Sequence, residues 1–243
     1  DMLRLTEKYG IKVTIADSDF VNWTEKSEKE IIKLVNRYKD HPSVVGYFIQ
    51  DEPYNANPLG RIFRTMLEVD PGCIPQMNLL PPIPAVEDPR GYAEDWISSV
   101  GTEMDAYLSF DQYPLGIEKG SYPGNMFQNI ELIWSIGLKY DVKTAIYIQS
   151  TGADSEKASY RRPTVEETRF LTSSALAYGY KNLKYFTWMS AVNRSEPFLD
   201  GIIKPNGESL DVFTPADVMI VDYDNQEIKG IIFKDYYTVG RKY

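Results

Sequence analysis

The chain has 243 residues, 43% hydrophobic and 25% charged, with a formal net charge of −9. This is the balance of a globular protein; it contains no apolar run long enough for a membrane-spanning helix and no basic cluster for a nucleic-acid partner. One histidine, His41, and one cysteine, Cys73, exclude a Ser-His-Asp triad, a histidine zinc site and an intrachain disulfide, and they leave the redox compartment open.

Residues 2–9 have the pattern of a helix stopped by Gly10. No signal-peptide pattern precedes it, and a start inside an element is expected of the later part of a longer protein. Residues 11–16 are a β-branched strand ending in Asp17-Ser18-Asp19. Ser27 and Glu30 form a capping box ahead of Ile31, Leu34, Val35 and Tyr38 at helical spacing.

The run 44–49 is almost purely apolar and ends abruptly in Asp51-Glu52-Pro53. A run of that kind is expected to be a strand buried on both faces of a parallel sheet, and Pro53 cannot continue a central strand. A helix over 59–68 follows, closed by Asp70-Pro71-Gly72. Strands are then expected at 74–80, 106–110, 144–148 and 183–188, with helices at 91–100, 126–140 and from the Thr164–Glu167 capping box to Gly179. Beyond Ala191, residues 218–223 and 229–233 flank a polar turn and form a β-hairpin pattern.

Six strands alternating with helices predict right-handed βα units of a (β/α)8 TIM-type barrel, present as about six units over 1–205, with a β-hairpin appendage over 206–243. No Gly-rich phosphate loop follows any strand and no Asp-x-Asp-x-Asp-Gly loop occurs, so no cofactor and no metal site are expected. Each strand instead ends in a polar or aromatic residue: Asp17, Glu52, Asn78, Asp111, Gln149 and Trp188. In a barrel those carboxyl ends meet at one mouth, where catalytic residues sit.

The ordered set Gly-Tyr-Phe-Ile-Gln-Asp-Glu-Pro (46–53), Asn78-Leu79-Leu80-Pro81, Leu108 to Pro114, Ile148-Gln149-Ser150, and Ala175 to Trp188 resembles bacterial β-galactosidase-like glycoside hydrolases of the large (β/α)8-barrel clan. The resemblance implies that Glu52 occupies the place of the acid/base glutamate at the end of barrel strand four, with Asp51 where asparagine is commoner. It makes the strand at 11–16 the third, so that strands one and two are missing from this chain. It also exposes a departure, because the nucleophilic glutamate of strand seven is replaced here by Gln149.

Hydrolysis of a glycoside needs one carboxyl group to protonate the leaving oxygen and a second to attack or to activate water. Glu52 is the expected acid; the plainer alternative is a helix cap or a surface ion pair. Asp51 is adjacent, and in an extended strand it points to the opposite face, so it is expected to be structural. Asp111 is favoured as base or nucleophile, with Asp17 the second choice, against an equally ordinary role for Asp111 in the turn before Tyr113-Pro114; with a water between Asp111 and Glu52, a spacing of roughly 6.5–9.5 Å would mean inversion. Asp17, Asn78, Tyr113 and Gln149 suit hydrogen bonds to sugar hydroxyls, and Trp188 a stacking face. The substrate is then a β-linked oligosaccharide or polysaccharide; the alternative is a carbohydrate-binding barrel without turnover, favoured by Gln149.

Overall fold

The computed structural model describes residues 2–17, 19–20, 22–55, 57–102, 107–116, 124–154, 159–188, 190, 198, 201–204 and 206–208, and the backbone alone of 219–220, 230–233 and 237–238. The chain divides into two compact units, 1–111 with 127–145, and 112–126 with 146–243.

The first unit opens with α1 (Met2–Lys8) and β1 (Val13–Ile15), joined through Gly10, whose φ of +67° is the left-handed turn that glycine adopts without strain. Helix α2 (Glu28–Asn36) begins at the predicted capping box: Ser27 Oγ accepts from the Glu30 amide, and the Glu30 carboxylate accepts from the Ser27 amide at 2.8 Å. Strand β2 (Val44–Asp51) follows, then α3 (Gly60–Val69), β3 (Ile74–Asn78), a short turn of helix α4 (Pro82–Ala85), α5 (Pro89–Val100), β4 (Leu108–Asp111) and α6 (Met126–Tyr140). Asp88 caps α5 by accepting from the Gly91 amide at 3.0 Å, with Pro89 at the first helical position.

β2 lies between β1 and β3 and runs parallel to both. β4 continues the parallel arrangement through the pair Leu79 and Phe110, with the Leu79 amide donating to Ser109 O at 2.8 Å. Parallel strands place their carboxyl ends on one edge, which brings the ends of β2, β3 and β4 side by side. The buried residues Tyr47, Ile49, Phe63, Trp96 and Phe110 fill this unit, and the rings of Phe63 and Trp96 meet edge to face at 4.5 Å.

Gly46 faces β3 so closely that a Cβ there would collide with the backbone of Ile74, its partner in register. Neither strand can retreat without opening the β2–β3 ladder. Gly46→Ala is therefore expected to destabilise the fold by about 1–3 kcal/mol, as overpacking does, or to abolish it; urea denaturation followed by circular dichroism measures this, and an unchanged midpoint would contradict it.

β5 (Thr144–Gln149) starts in the first unit and ends in the second. The second unit goes on with the short antiparallel pair β6 (Ala153–Asp154) and β7 (Ser159–Tyr160), helix α7 (Val165–Ala177) and β8 (Asn182–Phe186), a neighbour of β5. α7 starts at the second predicted capping box, Thr164 with Glu167, and its chain reverses at Gly179, φ +79°. β9 (Met219–Ile220) runs antiparallel to β10 (Gly230–Phe233), and β11 (Tyr237–Thr238) adds a third strand beside β10; the turn of the expected hairpin lies outside the described residues.

All six predicted strands and the helices between them are present, with ends shifted by a few residues. The result is a mixed α/β fold with parallel sheets. Among the described residues the strands form open sheets of two or three members, linked between β3 and β4 by a single bridge, and no closed barrel is seen.

Candidate active site

In the first unit, the tips of β2, β3 and β4 bring Glu52, Asn78 and Asp111 together. β2 ends at Asp51, in register with Asn78, and the next residue leaves the strand: Glu52 has φ +43°, a left-handed conformation uncommon for a residue with a side chain. Its amide still donates to Asn78 O at 2.8 Å. This turn overrides the alternation expected of an extended Asp51-Glu52 pair. Asp51 stays exposed, while Glu52 is half-buried.

The Glu52 carboxyl is hydrogen-bonded to that of Asp111, which is only 8% exposed. Two ionised carboxylates cannot share such a contact, so the pair holds a proton. Burial, first, then the Asp111 charge and the hydrogen bond to it, and last Asp51, raise the Glu52 carboxyl from 4.5 to about 8. A carboxylic acid kept neutral near pH 7 can donate a proton.

Asn78 and Asp111 are likewise not simple rim residues. Asn78 is 2% exposed; its Nδ2 donates to Asp111 Oδ1 at 2.9 Å, and its Oδ1 accepts from Ser109 Oγ at 3.3 Å. Its side chain is thus engaged with Asp111 and Ser109.

Tyr92, on the first turn of α5, has no signal in its local sequence pattern, yet it ties the same tips together. Its hydroxyl donates to Pro53 O at 2.6 Å and accepts from the Leu80 amide at 3.3 Å. Burial, with smaller effects from the charges of Glu52 and Asp111, pushes this phenol up to about 12, so it stays a neutral donor. Tyr92→Phe leaves a carbonyl and an amide without their partner, and a stability loss of about 1–3 kcal/mol is expected, measured by thermal or urea unfolding. An unaltered transition would show that the hydroxyl is not the link.

Asp17 is a correction. Its carboxylate accepts from the Asp19 amide at 2.8 Å, takes the Tyr38 hydroxyl and lies 3.5 Å from the Arg37 guanidinium. It belongs to a local ion cluster at the end of α2.

The remaining predicted residues lie in the second unit. Gln149 is fully buried, and its amide is engaged by backbone: Oε1 accepts from the Leu115 amide at 3.0 Å, and Nε2 donates to Arg161 O at 2.8 Å and Thr151 O at 3.3 Å. With both amide protons and the carbonyl in use, it is a scaffold residue and not the sugar contact expected of it. Tyr113 stacks on Tyr160 (5.2 Å, 29°) and on Phe186 (5.5 Å, 27°), and Phe186 meets Phe198 edge-on at 5.1 Å. Its ring is part of an aromatic cluster that strand patterning missed, because the members come from distant segments. Trp188 is 48% exposed. Arg161 clasps Glu167 through two hydrogen bonds, 2.5 and 2.7 Å, and so joins the Gln149 loop to the cap of α7.

Among the described residues no group of three or more His, Cys, Asp or Glu side chains could hold a metal ion, and no helix is long and apolar enough to cross a membrane. Cys73 is buried, and burial pushes its thiol up to about 12.

The fold is one that several solved structures share. Similar solved structures include a Bacteroides thetaiotaomicron protein assigned as an alpha-L-fucosidase (TM-score 0.56, 14% identity, 80% of this chain and 66% of that one). Others are the β-D-glucuronidase of Dictyoglomus thermophilum (0.55, 13%, 87% and 40%) and the β-galactosidase of the psychrophile Marinomonas ef1 (0.53, 12%, 86% and 46%). The chain thus spans between 40% and 66% of the length of these three proteins, and at such identity the likeness is one of fold. No family model and no curated protein matches the sequence.

Proposed function

We propose that the chain is part of a (β/α)-barrel glycoside hydrolase acting on an oligosaccharide, with Glu52 as general acid. The observation that carries this reading is the convergence of Glu52 and Asp111, at the ends of β2 and β4 on either side of β3, where burial and the Asp111 carboxyl raise Glu52 to about 8. Glu52 gives its proton to the glycosidic oxygen, the bond to the anomeric carbon breaks with its electrons on the departing alcohol, and water adds at that carbon. The proton released by that water returns to the carboxyl pair, which restores its starting state.

A second reading, a sugar-binding barrel without turnover, is favoured by one observation: the end of β5 carries a neutral, immobilised Gln149 where the resembling enzymes place a carboxylate. Incubating the protein with 4-nitrophenyl β-galactoside, β-glucuronide and α-fucoside separates the two. Release of nitrophenol is expected; saturable binding of the same sugars by calorimetry with no release would leave only the second reading, and neither would remove both.

A further inference from the structure

We infer that Asn78, held by Ser109, is a positioning residue that keeps Asp111 the ionised member of the carboxyl pair and so leaves the proton on Glu52. This rests on the proposed acid role of Glu52 and says what directs the proton to it.

A hydrogen-bonded carboxyl pair with one proton could carry that proton on either member. The asymmetry must come from the surroundings. Here the surroundings are directional. Ser109 Oγ donates to Asn78 Oδ1, which fixes the orientation of the amide and turns its Nδ2 toward Asp111. An N–H donated to a carboxyl oxygen stabilises the ionised form over the neutral one. Asn78 is 2% and Ser109 1% exposed, so both groups are held away from competing water.

The other titratable groups facing Glu52 act in the same sense. Asp51, on β2, adds a negative charge that disfavours ionised Glu52. Tyr92, on α5, is a neutral phenol whose hydroxyl is engaged with backbone, so it brings no positive charge to Glu52. Donation from Asn78 falls on Asp111, and repulsion from Asp51 falls on Glu52.

The intact protein tests this directly. With 13C-labelled glutamate side-chain carboxyls in one sample and aspartate in another, NMR titration from pH 4 to 10 should show one glutamate carbon titrating near pH 8, lost in Glu52→Gln. A high-pH titration carried by an aspartate carbon instead, or none above pH 6, would overturn the inference without any variant. Asn78→Leu should raise the lower macroscopic ionisation of the pair by about one pH unit, and Ser109→Ala should move it the same way by less, as the amide loses its orienting donor. If both variants fold and neither moves that ionisation, the relay has no role. The glycoside assay remains independent: titration as expected without turnover removes the catalytic proposal alone, and turnover with an unresponsive titration removes this one alone.

Discussion

Replacing Glu52 by glutamine is expected to slow cleavage of an oligosaccharide by about 10²–10⁴-fold, the range of a lost general acid. The substitution keeps the size and removes only the transferable proton, so the loss reports on chemistry. The effect should depend on the leaving group. An unactivated sugar alcohol needs the proton, whereas nitrophenolate departs with little help, so Glu52→Gln should lose far less on 4-nitrophenyl glycosides than on the oligosaccharide. A loss equal for both leaving groups would place Glu52 outside the acid role. Stability supplies a control, because the variant removes a carboxyl that folding makes harder to ionise; at pH 8 and above it should unfold at higher temperature than the parent.

Asp111→Asn should move the alkaline limb of the pH–rate profile down by roughly one to three pH units, the size of a neighbouring-charge effect. Burial comes first among the causes that hold Glu52 up, and the charge of Asp111 and the hydrogen bond to it come next. Removing the second and third leaves the first, so the Glu52 carboxyl should fall from about 8 yet stay above 4.5. The sign for stability follows from the same shift. Folded Glu52 keeps its proton to about pH 8, while the unfolded chain releases it near 4.5. Across that window the folded state binds the extra proton, so the contribution of Glu52 is greatest below 4.5 and declines as the pH rises toward 8. In Asp111→Asn the decline is shallower, and the melting temperatures of variant and parent should converge or cross toward the variant's favour as the pH rises. A limb that stays near 8 would show that Asp111 does not set it.

Most of the βα alternation was legible because the deciding interactions are local. The two capping boxes, Ser27 with Glu30 and Thr164 with Glu167, form the predicted reciprocal bonds, and Gly10 and Gly179 turn the chain where only glycine does so freely. The apolar run of β2 is buried at Gly46, Tyr47 and Ile49 and partly buried at Val44, Val45 and Phe48, and it ends at the predicted pair of acids. The site was legible in part. Strand-end position singled out Glu52, Asn78 and Asp111, and the structure brings these together; the same rule also picked Asp17 and Gln149, whose polar groups are engaged by an ion cluster and by backbone. A strand-end rule places a side chain's backbone and says nothing of its hydrogen-bond partners.

By itself the sequence determined which segments become strands and helices, and that a carboxyl-rich edge lacking histidine chemistry would result, because periodicity, caps and composition act within a few residues along the chain. Only the tertiary structure decided that Glu52 turns out of its strand at φ +43°, that Asp111 raises its carboxyl, and that Asn78 and Ser109 engage Asp111 while Tyr92 ties the strand tips. Those contacts join residues up to 59 positions apart, from Glu52 to Asp111. Their energies depend on distance and burial in space, and neither is written in the order of the residues.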